Sequence, residues 1–245
     1  MFLGTAANIA TILIGTTIGA VAGSRLEERI RTTVMAGLGL LTLAIAFRDS
    51  LRAEELVPIL AAVLLGGVLG ELVGIEQWLE RLGNRLRDRF TGGHGSPVID
   101  AELPEAAAAG LFADRRAAFG EGFVIASLVF CVGPLTVLGS INDGLGDPEL
   151  LYIKAGLDGF ASIAFAAVYG WGVIVSAGTI LVVQGGIALV SSIVGDSLSA
   201  ASLDALASAG GILLIGVALR LLDLKRIRVA NLLPALVLAP LFTAL

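Results

Sequence analysis

Lys154 and Asp158 stand four residues apart at the start of an apolar run, ELLYIKAGLDGFASIAFAAVYGWG (149–172). That spacing makes two helical side chains neighbours, so it predicts an ion pair. A second acid, Glu121, opens the similar run EGFVIASLVF (121–130). Acids at membrane depth are costly and usually face a cavity, so we expect these two at the ends of one ion pathway. The alternative is that both acids cap a first helical turn and that the lysine forms a surface pair.

A proline in the segment SLVFCVGPLTVLGSINDG (127–144) predicts a broken helix. Pro134 lacks an amide hydrogen and clashes with the carbonyl of Phe130, and Gly133 loosens the turn before it. We expect a kink that frees this carbonyl near mid-bilayer, where it could coordinate a cation. The alternative is a kink that only shapes packing, since prolines are frequent in membrane helices.

Polar side chains inside other apolar segments complete the candidate pathway. Asn8, Gln184 and Asn231 are the costly ones, because an amide in lipid needs partners. They must face protein, either as links between helices or as ligands. The pathway candidates are Glu121, Asp158, Ser127, Ser162, Phe130, Gly133, Pro134, Lys154, Asn142, Asp143, Asn8, Gln184 and Asn231.

Composition places the chain among membrane proteins. Hydrophobic residues make up 56% and charged residues 15%, with a mean hydropathy of +0.93, whereas soluble domains carry about 25% charged residues. The 16 Lys and Arg against 21 Asp and Glu give no basic excess for a nucleic-acid partner. The chain has one cysteine, Cys131, which cannot form an intrachain disulfide. It has one histidine, His94, which cannot build a zinc site alone. We therefore expect no cofactor, no metal site and no enzyme.

The elements that must position these residues are membrane-spanning helices. A membrane span needs about 20 apolar residues. If residues 156–195 cross the membrane twice rather than once, most Lys and Arg residues fall in the odd-numbered loops between spans. The positive-inside rule then puts both termini outside the cell. The sequence predicts an all-α, polytopic membrane helix bundle of about eight spans: 2–23, 33–47, 56–74, 119–140, 156–171, 172–195, 205–222 and 229–245.

One segment between the third and fourth spans is amphipathic rather than apolar. In GIEQWLERLGNRLRDRF (74–90) apolar residues recur at helical spacing, with arginines on the other faces. We expect a helix in the cytoplasmic membrane interface, or alternatively a solvated cytoplasmic helix. Residues 91–117 follow without apolar periodicity and predict a flexible cytoplasmic linker. Residues 1–245, this linker included, are expected to form a single integral membrane domain.

Internal echoes predict inverted repeats. AGLGLLTLAIAFRD (36–49) resembles AGGILLIGVALRLLD (209–223), and ELVPILAAVLLGG (55–67) resembles NLLPALVLAPLFT (231–243). Spans one to three thus recur as spans six to eight, an odd offset that gives the copies opposite orientations. Inverted repeats with a site at their interface are typical of secondary transporters. Chance likeness among Gly-, Ala- and Leu-rich helices is the alternative.

Four strings together carry a family resemblance: ASLVFCVGPLTVLGSINDGLGD, KAGLDGFASIAFA, QGGIALV and RVANLLPALVLAPL. The chain resembles the bacterial membrane proteins of domain-of-unknown-function family 554, the YqgA/YdfK type, over nearly its whole length. The resemblance implies a bacterial inner (plasma) membrane location and a single domain. It implies transport only as a general expectation, and it identifies no site residues.

We expect a transporter or channel for a small solute, an inorganic cation foremost, with its pathway at the repeat interface. A structural or assembly protein is the alternative, and an intramembrane enzyme with a Ser/Lys pair ranks last. The expected partners are the lipid bilayer and a small solute or ion. Gly15, Gly19 and Gly23 lie on one helix face, which permits close contact within the chain or across a homodimer.

Overall fold

The computed structural model describes residues 2–23, 27–90, 105–132, 134–194 and 199–243. All regular structure in these ranges is helical, with two 3-10 turns at Gly170–Val175 and Val229–Leu232. The α-helices are α1 Leu3–Gly23, α2 Glu28–Ser50, α3 Leu56–Val73, α4 Ile75–Phe90, α5 Glu105–Cys131, α6 Pro134–Leu145, α7 Glu149–Tyr169, α8 Ser176–Val194, α9 Ala200–Leu221 and α10 Ala235–Thr243.

Five of the described helical stretches are long and apolar enough to cross a membrane, or six if the bent pair α5–α6 is one span. One of the five is the 45-residue stretch 149–193, which comprises α7, a 3-10 turn and α8. The eighth predicted span forms only a short apolar helical segment, 229–243. The all-α membrane bundle predicted from the sequence is therefore present, with large apolar side chains exposed along its outer surface.

The stretch 149–193 reverses direction at its 3-10 turn. Leu151, in the first turn of α7, lies against Gly4 of α1. Gly172, in the 3-10 turn, packs on the backbone of Phe119 at the other end of the bundle. The last turns of α8 then return to α6, where Ala188 lies against Gly144. Helices α7 and α8 therefore run in opposite directions.

The bundle has two ends, and each is named here after a polar residue that lies at it. Asp143 hydrogen-bonds the amide of Gly4, so both lie at one end, called here the Asp143 end. Gly122 packs on Tyr169 at the last turn of α7, and we call this opposite end the Glu121 end. Helix α1 runs from the Asp143 end toward the Glu121 end, parallel to α7.

Glycines hold α1 against α7. A Cβ at Gly15 would lie 2.1 Å from the hydroxyl oxygen of Ser162, and one at Gly19 would lie 2.1 Å from the carbonyl oxygen of Ile163. Gly23 meets the backbone of Ala167 at a similar distance. These glycines thus serve a contact within the chain, which leaves the predicted dimer without this support.

Two further helix pairs pack in antiparallel fashion. Gly211 of α9 lies against Ser50 at the end of α2, and Gly39 nearer the start of α2 lies against Leu222. In the same way α3 packs antiparallel to the last segment of the chain, since Gly70 meets Asn231 and Gly66 meets Ala235. Each pair joins the two segments that resemble each other in sequence.

Two predicted boundaries are wrong. Helix α7 begins at Glu149 rather than at residue 156, because the helix continues through polar residues that an apolar window excludes. Helix α5 begins at Glu105, so residues 105–117 are helical rather than a flexible linker. Their EAAAAGLFADRRA sequence is rich in strong helix formers. The remaining linker residues, 91–104 with His94, lie outside the described residues.

The predicted kink is present as a break of 64° between α5 and α6. Helix α4 also forms over the predicted amphipathic segment, with Leu79 and Leu82 packed against the core and Trp78 exposed. Thus the elements expected around the candidate pathway exist, and the bend separates the two halves of one long helical segment.

Candidate functional site

Four polar side chains meet between α1, α7 and α8, and we call them the amide–charge cluster: Asn8, Lys154, Asp158 and Gln184. Lys154 forms an ion pair with the Oδ2 atom of Asp158. The Nδ2 atom of Asn8 donates to the same oxygen at 3.0 Å and to Oε1 of Gln184 at 3.2 Å. Two acceptors from different helices therefore converge on one amide nitrogen.

The cluster is buried but not fully hydrogen-bonded. Asn8 and Gln184 have no exposed surface, while Lys154 and Asp158 retain 5% and 7%. Oδ1 of Asn8 and Nε2 of Gln184 are buried without a hydrogen-bond partner in the described residues. Most buried polar groups in proteins are paired, so one unused acceptor and one unused donor in the same cluster are groups that a ligand or water could complete.

The cluster lies inside helices rather than at their ends. Asp158 is nine residues beyond the start of α7 at Glu149, or about 13 Å along the helix axis at 1.5 Å per residue. Glu121 is likewise interior to α5, which begins at Glu105. The helix-cap alternative is therefore wrong for both acids, and Lys154 and Asp158 form a buried rather than a surface pair.

Asp143 has a structural role at the Asp143 end. Its carboxylate accepts hydrogen bonds from the backbone amides of Gly4 and Thr5, at 3.0 Å each, and from the Thr5 hydroxyl at 2.9 Å. A carboxylate in this position accepts hydrogen bonds from amides of the first helical turn that have no partner within the helix, and its negative charge interacts favourably with the helix dipole. The neighbouring Asn142 is half-buried, and its carbonyl accepts from the amide of Asp147 at the end of α6.

The carbonyl that the helix break releases already has a donor. The Thr136 hydroxyl donates to the carbonyl oxygen of Phe130 at 3.0 Å across the break. Pro134 begins α6, and Gly133 lies outside the described residues. The prediction of a free carbonyl is therefore wrong, because a hydroxyl in the first turn of α6 replaces the hydrogen bond that proline removes.

The two candidate serines are engaged away from Lys154. Ser127 shares a hydrogen bond of 3.0 Å with the Thr179 hydroxyl, which links α5 to α8. Ser162 donates to the carbonyl of Gly159 on its own helix at 2.7 Å. These bonds give no geometry for a Ser/Lys nucleophile, which would need the serine hydroxyl within hydrogen-bond reach of the amine.

Glu121 belongs to a different region at the Glu121 end, the Arg220 network. Arg220 donates to Glu121 from Nε and to Glu76 from Nη1, at 3.1 Å each. Glu76 also accepts from the amide of Ala230 at 3.1 Å. One arginine of α9 thereby joins α4, α5 and the 3-10 turn Val229–Leu232.

Asn231 extends this network. Its Oδ1 accepts from the amide of Glu76 at 2.8 Å, and its Nδ2 donates to Glu71 at 2.6 Å. Arg228 pairs with Glu71 at the exposed edge. The structure thus places Asn231 and Glu121 in one network, which does not include Asp158. The side-chain amide of Asn231 links helices, which is one of the two roles predicted for it; the other was to act as a ligand.

Sequence reasoning missed Glu76 and Arg220. Arg220 lies in the last turn of an apolar helix, and Glu76 adjoins the apolar face of α4. Each is therefore an ionisable residue at a position where an apolar side chain, facing lipid or the protein core, would be expected. That position alone marks a candidate site in a membrane protein. Among the described residues, no group of three or more His, Cys, Asp or Glu side chains is arranged to hold a metal ion.

Comparison with known proteins agrees with the membrane character of these helices. A family model described as "Protein of unknown function (DUF554)" matches residues 3–244. "Uncharacterized protein YqgA" of Escherichia coli (strain K12) is 28% identical over 240 residues, covering 98% of this chain and 95% of that protein. "Uncharacterized membrane protein YdfK" of Bacillus subtilis (strain 168) is 26% identical over 242 residues, covering 97% and 93%. No solved structure matches.

Proposed function

We propose that this chain, which belongs to the DUF554 family of proteins of unknown function, is a membrane transport protein for a small solute, an inorganic cation foremost. The observation that carries the proposal is the amide–charge cluster. An ion pair and two amides are buried together there, with one acceptor and one donor left unused. Ionisable groups at membrane depth are expensive, and they commonly mark ion pathways.

The packing of the repeated segments supports this function. The pairs α2/α9 and α3/α10 pack antiparallel, and α1 and α8 run in opposite directions. Inverted repeats of this kind bring two halves of a transporter together around a site between them. In our proposal the two legs of 149–193 cross separately, which gives eight crossings when the bent pair and the last segment are included.

The break between α5 and α6 is a second supporting feature. Transporter sites are typically formed beside discontinuous helices, and α5 is linked to α8, the helix that carries Gln184, by the hydrogen bond between Ser127 and Thr179. The broken segment thus contacts one of the helices that form the cluster. Because Ser127 and Ser162 hydrogen-bond elsewhere, we also propose that the protein is not an enzyme.

The proposed topology puts the Glu121 end in the cytoplasm and the Asp143 end outside an inner membrane. Arg220, Arg228 and the arginine-rich helix α4 lie at the Glu121 end, as the positive-inside rule requires. Helix α4 would lie in that interface, with Trp78 exposed at headgroup depth.

Labelling of single cysteines tests this topology. In a Cys131→Ala background, Glu54→Cys at the Asp143 end should react with an impermeant maleimide in intact cells. Leu224→Cys at the Glu121 end should react only after permeabilisation, since its side chain is exposed on the other face. The reverse pattern would overturn the orientation.

Flux in proteoliposomes tests the function. Purified protein should carry a selective signal over a panel of cation and anion gradients, and Asp158→Asn should abolish it while the protein stays folded. The matched control is Asp204→Asn, because that acid is half-exposed in a loose pair with Arg52. Silence across the panel with intact protein would favour the alternative, a structural or assembly role. Unchanged flux in Asp158→Asn would exclude the cluster from the pathway.

A further inference from the structure

Helix α4 follows directly on a helix end whose apolar side chains are exposed. Leu72 and Val73, in the last turn of α3, are 79% and 73% exposed. Gly74 then turns the chain with a left-handed φ of 70°, and α4 begins at Ile75. Apolar side chains this exposed are more stable against hydrocarbon than against water. In the proposed topology, the first turns of α4 therefore lie where the hydrocarbon layer ends.

One face of α4 is held against the protein. Leu79 and Leu82 pack against the hydrophobic core. The carboxylate of Glu76 accepts a hydrogen bond from Arg220, and the backbone amide of Glu76 donates to the side-chain oxygen of Asn231 at 2.8 Å. These contacts fix the rotation of α4 about its axis, and so they determine which of its side chains point away from the bundle.

The outward edge of α4 presents an indole ring beside two guanidinium groups. Arg81 and Arg85 follow Trp78 by three and seven residues, so the three side chains share one face of the helix. All three are exposed, Trp78 by 54%. The Nε atom of Arg81 donates to the carbonyl of Gln77 at 3.0 Å, which leaves its two terminal nitrogens for another acceptor.

The two guanidinium groups are available to an external anion. The ion pairs that form between described side chains include neither Arg81 nor Arg85. Glu76 is the one acid of α4 whose side chain is described, and it is already engaged by Arg220. Guanidinium groups bind phosphate through paired, planar hydrogen bonds. This edge of α4 therefore has the chemistry to bind a phosphate group.

We propose that Trp78, Arg81 and Arg85 form a binding surface for the headgroup of an anionic phospholipid. The two arginines bind the phosphate, Trp78 lies at headgroup depth, and the acyl chains extend along the exposed end of α3 at Leu72 and Val73. An acidic protein would also match the arginines, but it would leave this apolar end of α3 without hydrocarbon. The lipid site rests on the interfacial position proposed above for α4 and is independent of the transported solute.

Fluorescence quenching by brominated lipids measures the occupancy of this surface. The chain has two tryptophans, Trp78 and Trp171, so a Trp171→Phe background leaves Trp78 as the reporter. The protein is reconstituted in phosphatidylcholine vesicles that contain a minor fraction of brominated phosphatidylglycerol or, for comparison, of brominated phosphatidylcholine. We expect phosphatidylglycerol to be preferred at Trp78 by about fivefold for each arginine that binds its headgroup. Molar salt should remove most of this preference.

Arg81→Gln/Arg85→Gln is the decisive variant. Both side chains are exposed, so the protein should fold, and the preference for phosphatidylglycerol should fall to about one. The matched control is Lys225→Gln/Arg226→Gln, which removes the same charge from exposed positions at the same end of the bundle. The control should keep the preference. An equal loss in both variants would assign the preference to the overall charge of this end and overturn the site on α4.

The remaining outcomes separate the lipid site from the transport function. If Trp171→Phe does not fold, the difference in quenching between the unaltered protein and Trp78→Phe gives the same quantity. Equal quenching by the two brominated lipids would overturn the selectivity for an anionic headgroup. No quenching of Trp78 by either lipid would place α4 in solvent, where an acidic protein could bind it, and would overturn the site. None of these results changes what flux measurements say about transport.

Discussion

The Arg220 network and the amide–charge cluster both bury charged groups between helices, yet they satisfy them differently. In the network, Arg220 binds two carboxylates, and the amide of Asn231 uses both its oxygen and its nitrogen. In the cluster, Lys154 binds one carboxylate, and two amide atoms are unused. The network joins five elements, α3, α4, α5, α9 and the 3-10 turn Val229–Leu232, whereas the cluster lies among α1, α7 and α8.

In our proposal this difference separates a structural role from a binding role. A buried polar network that is fully satisfied makes the structure rigid, and removal of one member leaves the others unpaired. Unused buried polar groups cost free energy, and a ligand or water that completes their hydrogen bonds would offset that cost. The candidate residues identified from the sequence thus divide between the two regions, with Glu121 and Asn231 in the first and Asp158 in the second.

The largest expected effect comes from breaking the Arg220 network. Arg220→Gln would leave the carboxylates of Glu76 and Glu121 without their arginine. Removal of one partner of a buried ion pair costs roughly 3–5 kcal/mol. We expect a corresponding loss of stability in detergent, measured by thermal or denaturant unfolding with the tryptophan fluorescence as signal.

The control for this variant is Arg228→Gln. That arginine pairs with Glu71 but is 64% exposed, so its ion pair should contribute little in comparison. If the two substitutions lowered the free energy of unfolding equally, burial would not distinguish these ion pairs. The buried Arg220 network could then no longer be treated as a stabilising region in contrast to the amide–charge cluster.

A smaller effect separates the two buried amides. Asn231→Leu removes both hydrogen bonds of its amide, to the backbone of Glu76 and the carboxylate of Glu71, at a cost of about 1–3 kcal/mol. Gln184→Leu removes one hydrogen bond together with an unpartnered donor, so its stability should change by less than about 1 kcal/mol. The same unfolding measurement serves for both variants.

Flux measurements complete this matched pair. Gln184→Leu should lower cation flux, because it deletes one of the converging oxygens, although the protein remains stable. Asn231→Leu should affect flux only as far as it affects the amount of folded protein. A stable Gln184→Leu variant with full flux would assign the amide–charge cluster to packing alone.

Much of the helical bundle could be predicted from the sequence because hydropathy determines which segments can cross lipid. The apolar runs, the break at Pro134 and the amphipathic pattern of α4 all depend on residues close together in the chain. The start of α7 was missed because an apolar window excludes Lys154, although the helix hides this charge by pairing it with Asp158.

The polar contacts between distant residues could be predicted only in part. The sequence identified Asn8, Asp158 and Gln184 as costly in lipid, but their meeting depends on the close approach of α1 to α7 at Gly15 and Gly19. Nothing local pairs Arg220 with Glu76, which is 144 residues away in the chain. Such contacts follow from the packing of the helices, which hydropathy does not determine.

A modest effect, smaller than that of Arg220→Gln, tests whether the helix break belongs to the cluster. Thr136→Val keeps the shape of the side chain but removes the hydroxyl that donates to the carbonyl of Phe130. We expect a loss of about 1 kcal/mol in unfolding free energy, since a buried carbonyl loses a hydrogen bond. Thr17→Val is the control, because its exposed hydroxyl bonds only its own helix, at Leu13. Unchanged cation binding in Thr136→Val would show that the helix break only shapes the packing of the bundle. Altered binding would indicate that the carbonyl of Phe130 is a ligand together with Asp158, which would extend the cluster to α5.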